Sequence, residues 1–302
     1  MPELPDIELY RHALRQRVVG HPFEKARLAS PFLLRTVDPP LAEFEGRVLE
    51  DVRRLGKRLV FAFEGELFWV LHLMIAGRLQ WKKKGAKPPG RVGLAAFDWP
   101  DGTLILTEAS KKKRARLHTE RGEEAVAAHD PGGIEPLEID FATFDAALTR
   151  ENHTVKRALT DPRVFSGIGN AYSDEILFGA KLPPHRWTRK LKEDERRRLY
   201  DATQALLAEW RDRLVAEVGD DWPGKVTAFR PDMKVHGKYK EPCAVCGEPI
   251  QRIAYADNET NYCAVCQNEG KLLADRGLSR LLKGDWPKSL DALEQMKRER
   301  KG

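Results

Sequence analysis

Four cysteines stand in two close pairs, Cys243-x2-Cys246 and Cys263-x2-Cys266, with sixteen residues between the pairs. This is the spacing of a four-thiolate zinc site. Each pair presents two sulfurs from one turn, and the residues between form a hairpin that returns the second pair. Zinc held by four protein ligands is tetrahedral and has no open position for chemistry. The pattern therefore predicts one structural Zn2+ on Cys243, Cys246, Cys263 and Cys266. Disulfides or a redox dithiol fit two matched pairs poorly in a reducing compartment.

The chain start, Met1-Pro2-Glu3-Leu4-Pro5, can also do chemistry. Methionine before a small residue such as proline is commonly removed, which would give Pro2 a free secondary amine. An α-amino group has a reference pKa of about 7.7–8.0, against about 10.4 for lysine, so a useful fraction is neutral near pH 7. Such an amine can attack a sugar C1′, displace a base and leave an iminium ion, covalent catalysis of the Schiff-base kind. Glu3, next door, could shuttle protons. If Met1 stays, Pro2 is an amide nitrogen and this chemistry is lost. Taken alone, the tetrapeptide fits better with a turn that merely leads into a helix.

These groups need elements to position them. Ile7, Tyr10, Leu14 and Val18 recur at helical spacing behind a Pro5-Asp6 start, so a helix begins almost at the terminus. Residues 47–107 read as strands: Arg58–Phe63, Leu67–Leu73, Val92–Trp99 and Thr103–Thr107, the last two flanking Pro100-Asp101-Gly102. A breaker, Asp130-Pro131-Gly132-Gly133, closes that region. A helical region follows. Phe141, Phe144 and Leu148 share one face, Val155 and Leu159 sit on a short helix, and Leu199, Thr203, Leu206, Trp210 and Leu214 mark a long amphipathic one. Ser166-Gly167-Ile168-Gly169-Asn170 reads as a turn between helices. The expected domains are 1–132, 133–232, the cysteine region 233–270 and a basic extension 271–302. The extension carries nine Lys/Arg against five Asp/Glu, and its leucines (Leu272, Leu273, Leu278, Leu281, Leu282) suggest a short docked helix before a frayed tail.

The whole chain has 302 residues, 41% hydrophobic and 32% charged, a globular composition. Its net charge of +6 suits a polyanionic partner without proving one. No stretch approaches the roughly 20 apolar residues of a membrane span, and the N-terminus has no signal-peptide pattern. The expectation is a cytoplasmic, nucleoid-associated protein.

Three segments together resemble the formamidopyrimidine-DNA glycosylase/endonuclease VIII family. They are Pro2-Glu3-Leu4-Pro5-Asp6-Ile7-Glu8; Thr154-Val155-Lys156 with the run Val164–Phe178 around the glycine turn; and Val235-His236-Gly237 through Cys266-Gln267. The resemblance implies an α+β multidomain fold: an N-terminal β-sandwich with a helix, a helix–two-turn–helix domain and a C-terminal zinc β-hairpin, with DNA in the cleft between. It implies a base-excision glycosylase with lyase activity on damaged double-stranded DNA, working as a monomer. Pro2 would be the nucleophile and Glu3 the acid/base group. Lys57 matches the family's lysine near the lesion phosphate, and Asn170 its phosphate-gripping asparagine. Glycines that let backbone N–H groups approach a phosphate, and a lysine beside strands, suit those roles physically. Lys156 and Arg91 join them as candidate DNA contacts, with Asn258 on the hairpin. An enzyme acting at C1′ must also extrude the nucleotide from the stack.

The chain departs from the family pattern at several places. Asp6 stands where glutamate is usual. His72-Leu73-Met74-Ile75-Ala76-Gly77 resembles the segment that plugs the gap left by the flipped base, with Ile75 where methionine is frequent. The run Glu108–Arg116 lacks the Arg-Arg-Phe-Gly pattern of the 8-oxoguanine-type enzymes; its charges suit either phosphate contact or a solvated loop. Asn258 replaces the hairpin arginine, and the loop Gly219–Asp232 looks short. Two other readings stay open: a DNA-binding relative of the same fold that is catalytically weak or inactive, and a zinc-ribbon RNA or ribosome factor. Intact Pro2-Glu3 with Lys57 weighs against the former, and the glycine turn with Asn170 against the latter.

Overall fold

The structure is a computed structural model that describes residues 1–227, 229–255, 258–273 and 286–299. The chain forms two compact units: Met1–Glu135 with Leu207–Ala228, and Pro136–Leu206 with Phe229–Gly302.

The first unit opens on helix α1 (Leu4–Val18). Ile7, Tyr10, Leu14 and Val18 are all buried, as their spacing requires. Asp6 closes the first turn, its carboxylate accepting the Glu3 N–H at 3.0 Å. Two four-stranded antiparallel sheets make a sandwich. One holds β1 (Lys25–Leu28), β6 (Gly93–Trp99), β7 (Gly102–Glu108) and β5 (Gly77–Lys82) in that order. The other holds β2 (Leu49–Leu55), β3 (Arg58–Phe63), β4 (Leu67–His72) and β8 (Arg116–Arg121).

Aromatic rings fill the sandwich. The Trp69 ring lies 4.8 Å from Phe23, 4.7 Å from Phe63 and 5.1 Å from Phe97. The outer face of the second sheet is also covered: helix α2 (Glu123–Ala127) lays Val126 on Val60, Ala62, Phe68 and Val70. That double burial is why β3 and β4 read as continuous apolar runs rather than alternating ones. Residues 219–222 are tied to the rest of this unit. His12 Nε2 lies 3.2 Å from the Gly219 carbonyl, Gln16 donates to Asp220 at 3.0 Å, and the Trp222 indole donates to the Leu79 carbonyl at 3.2 Å.

The second unit holds α3 (Phe141–Arg150), α4 (Val155–Thr160), α5 (Asn170–Gly179) and the first part of α6 (Glu193–Val218). A β-hairpin follows, β9 (Gln251–Ala254) with β10 (Glu259–Tyr262), then α7 (Ala264–Asn268) and α8 (Leu290–Glu299). Asp140 caps α3 by accepting the Thr143 N–H at 2.9 Å. Gly167, at φ +79°, makes the turn before α5 that the sequence marks. Midway along α6 the fully buried leucine is Leu207, with Leu206 only half-buried, because the buried row steps Leu199, Thr203, Leu207.

Sequence periodicity missed β1 and β8 and set no bounds for β2 and β5 inside the strand-rich 47–107, and the tail departs from expectation. The leucines 278–282 lie outside the described residues. Residues 290–299, expected to fray, form α8, whose first turn is closed by Ser289 Oγ accepting the Ala292 N–H at 3.2 Å. Among the described residues no helix is long and apolar enough to cross a membrane.

Candidate active site

In the first unit, α1 and the β2–β3 turn bring the chain start and Lys57 together. Pro2 and Glu3 are buried, Glu3 to 3% exposure. Gly56, at φ +60°, makes the turn that presents Lys57. Burial pushes the terminal amine of Met1 below its ordinary range; Arg78 and Lys57 push it the same way, while Glu3 and Asp6 oppose. Burial likewise lowers the Lys57 ammonium, partly offset by Glu3. An amine at this end of α1 thus stands in a poorly solvated place between two carboxylates and two cations, where burial favours its neutral, nucleophilic form.

His72 belongs to the same surroundings, though the sequence placed it only in the plug-like segment. Strand register sets it opposite Arg58 on one side and Arg116 on the other. Burial, then Arg58, Lys57 and Arg116, hold its pKa down to about 4. The imidazole is neutral at working pH, and its Nδ1 accepts the Met74 N–H at 3.1 Å, so Nε2 carries the proton. Three cations and one neutral donor therefore gather on one edge of the sandwich, an arrangement suited to an anion such as phosphate.

The segment after β4 is a constrained turn. Met74 has φ +53°, the Gly77 N–H donates to the Leu73 carbonyl at 2.9 Å, and a Cβ on Gly77 would sit 2.2 Å from that oxygen. Arg78 braces it by donating to the Ile75 and Gly77 carbonyls at 3.2 and 2.6 Å. The product is an exposed apolar tip, Ile75. Farther along the unit, Arg91 is exposed and lines a cavity of about 300 Å3 with Ser110, Lys111 and Lys113. The loop carrying those lysines is shaped from within: buried Glu108 accepts the N–H groups of Arg114 and Ala115 at 2.8 and 3.0 Å.

In the second unit, α5 is the organising element. Asn170, its first residue, donates its side-chain amide to the Glu259 carbonyl of β10 at 2.8 Å. Asp174 accepts from Lys156 at 2.6 Å and pairs with His236 Nδ1 at 2.8 Å. Glu175 accepts the backbone N–H groups of Lys234, Val235 and His236, each at 2.8 Å. Lys156, expected to touch DNA, spends its ammonium inside the unit, on Asp174 and the Asn170 carbonyl. Its visible work is to position Asn170. Asn258 is exposed at the hairpin tip, its carbonyl accepting the Tyr255 N–H at 2.8 Å.

The four cysteine sulfurs lie within 4.8 Å of one another, Cys243 to Cys266 at 3.9 Å and Cys246 to Cys263 at 3.4 Å. Zinc–sulfur bonds of about 2.3 Å in a tetrahedron put sulfurs about 3.8 Å apart, so the set fits Zn2+. No disulfide joins them. Without a metal, burial and the neighbouring Cys246 and Cys243 push the Cys266 thiol up to about 11; a bound dication displaces such protons. The hairpin carries one structural zinc.

Comparison with known proteins agrees with this arrangement in chain order. Residues 1–131 match the formamidopyrimidine-DNA glycosylase N-terminal domain, residues 133–210 the H2TH domain of the same proteins, and residues 240–268 the zinc finger found in FPG and IleRS. These matches define a zinc-finger DNA glycosylase architecture. Formamidopyrimidine-DNA glycosylase of Thermus thermophilus is 33% identical over 285 residues, covering 89% of this chain and all of that protein. Its counterpart in Heliobacterium modesticaldum is 32% identical over 280 residues, covering 88% of this chain and all of that one. The chain belongs to the formamidopyrimidine-DNA glycosylase family. Among solved structures, the Lactococcus lactis enzyme bound to abasic-site DNA superposes with a TM-score of 0.77 at 25% identity, over 88% of this chain and 99% of that one. The same enzyme in complex with DNA containing an oxidised pyrimidine gives 0.77 at 25% identity, over 88% and 100%.

Proposed function

We propose that this chain is a base-excision DNA glycosylase with abasic-site lyase activity, acting through Pro2 once Met1 has been removed. The observation that carries the reading is the chain start: a buried Pro-Glu pair in surroundings that depress an amine, beside Lys57. The Pro2 nitrogen attacks C1′ and the damaged base departs with the glycosidic electron pair. Glu3 delivers a proton to the sugar ring oxygen as the ring opens, leaving an iminium between Pro2 and C1′. Loss of a C2′ proton then expels the 3′ phosphate by β-elimination, and water releases the sugar fragment from Pro2. Lys57 and His72 hold the phosphate beside the reacting nucleotide. Ile75 fills the gap in the stack, Arg91 and Asn170 contact the backbone of the damaged duplex, and the protein works as a monomer.

The test is borohydride trapping on duplex DNA with an abasic site. The native protein, with Met1 shown by mass spectrometry to be absent, forms a covalent adduct. A terminus blocked by an uncleaved tag forms none yet still binds duplex. Because Lys57 is itself a lowered amine, Lys57→Arg is run alongside. Trapping that survives the block and disappears in Lys57→Arg moves the nucleophile to Lys57. No adduct from any form supports instead a lesion-binding relative without chemistry.

A further inference from the structure

The outer face of the second sheet carries a cluster that DNA repair chemistry does not use. His118 and Glu120 are alternate residues of β8 and so project from the same face. His129 returns to them from the turn that follows α2, fixed by its N–H donating to the Val126 carbonyl at 3.0 Å. His129 Nε2 lies 2.7 Å from Glu120 Oε1, and His118 Nδ1 lies 3.9 Å from the same oxygen. The two imidazole rings stand edge to face with centroids 4.6 Å apart. One donor atom from each of the three residues falls within a 4.8 Å span. All three are half-buried, open to solvent on one side and backed by the sheet.

We propose that His118, Glu120 and His129 form a second metal site, for a borderline divalent cation such as Zn2+, separate from the cysteine hairpin. Two imidazoles and one carboxylate are a donor set that favours zinc and its transition-metal neighbours over Mg2+ or Ca2+, which prefer oxygen. Zinc bonds of about 2.0–2.1 Å place tetrahedral ligands about 3.3 Å apart, between the two separations found here. Binding replaces the His129–Glu120 hydrogen bond: the neutral ring carries its one proton on Nδ1, and the Nε2 lone pair goes to the metal. Three protein ligands leave one position for water. The guanidinium groups of Arg35 and Arg116 face His118, so this site is weaker than the four-thiolate one. A cation here ties the end of α2 to β8, and with it the segment leading to Glu135, whose carboxylate pairs with Arg54.

The experiment uses the full chain with its hairpin already zinc-loaded, titrated with Zn2+ by calorimetry at micromolar free metal. A second equivalent binds. The double variant H118A/H129A keeps the hairpin equivalent and loses the second. Glu120→Gln, which retains an acceptor for His129 and so disturbs folding least, weakens the second equivalent by about tenfold or more, as loss of even an outer-shell partner does. As a check needing no variant, Co2+ added to the zinc-loaded protein broadens the ring signals of His118 and His129 ahead of other histidines. A native protein that takes up only one equivalent overturns the proposal. So does a second equivalent undiminished in the double variant, which is adventitious surface binding.

Discussion

At the scale of single residues, the proposed chemistry rests on keeping one amine neutral. The chain start lies among Arg78, Lys57 and low-dielectric packing, which lower the amine, with Glu3 and Asp6 opposing. An amine placed there loses its proton at lower pH than it would in solution, so the rate of adduct formation should rise with pH through that depressed value. Lys57→Met removes one of the depressing charges. The acid limb of its pH–rate profile should therefore shift to higher pH, while the plateau falls by tens to about a hundredfold from lost phosphate positioning. Profiles of single-turnover trapping for both proteins check this. An acid limb that does not move would separate Lys57 from the amine. The cysteines were legible in their type and spacing, whereas Pro2, Glu3 and Lys57 were assigned their roles only with the resemblance to the family. His72 was not marked for this role, because a lone histidine at a strand end says nothing until register sets it between Arg58 and Arg116.

Elements decide whether those residues are held. Helix α5 carries Asn170, Asp174 and Glu175 on three consecutive contacts, to β10, to Lys156 and His236, and to the segment entering the hairpin. Glu175→Ala strips two buried N–H groups, those of Val235 and His236, and the partly buried one of Lys234 of their acceptor, at a cost of about 1–3 kcal/mol for each buried group. It should lower stability by at least about 2 kcal/mol, whereas Glu175→Gln, retaining one acceptor oxygen, loses less; chemical denaturation distinguishes them. The hairpin tip carries a second prediction. Asparagine at 258 offers phosphate neither charge nor a bidentate fork. The neighbouring cations are engaged: Arg252 with Glu259 at 3.2 Å and over the Tyr239 ring at 4.3 Å, Lys271 with Glu269 at 2.7 Å. The native protein should stop mainly at β-elimination, and Asn258→Arg should gain lesion affinity and δ-product on a gel resolving the two 3′ ends. A native protein that yields chiefly δ-product contradicts this. Helices with long apolar stripes were readable in the sequence. Strands β1 and β8 were not, since four to six residues of mixed polarity take their strand identity from pairing across the sheet.

For the molecule as a whole, the excess of 52 basic over 46 acidic residues is modest, so affinity for DNA must come from where the charge is placed. Lys57, Arg58 and Arg116 gather at one edge of the sandwich, and Arg91 with Lys111 and Lys113 at another place on it. Binding to undamaged duplex should weaken steeply as salt rises, with a log–log slope of about −0.9 per phosphate engaged. Arg91→Ala should lower that slope by about one unit and leave trapping on a bound abasic site nearly unchanged. A slope that stays the same would make Arg91 a bystander. The order of β-sandwich, helical region and zinc hairpin was legible because each carried its own signature: the apolar runs, the glycine turn and the cysteine spacing.

The first unit is assembled from two distant stretches of chain, and this has a consequence for how the protein is made. Helix α1 is held by Gly219, Asp220 and Trp222, residues synthesised about two hundred positions after it. At about 5–20 residues per second, translation takes roughly 10–40 s to cover that distance. Throughout that interval helix α1 lacks the contacts that Gly219, Asp220 and Trp222 supply. The first unit therefore reaches its final packing only late in synthesis, when a stretch made about two hundred residues downstream arrives to close against the first helix.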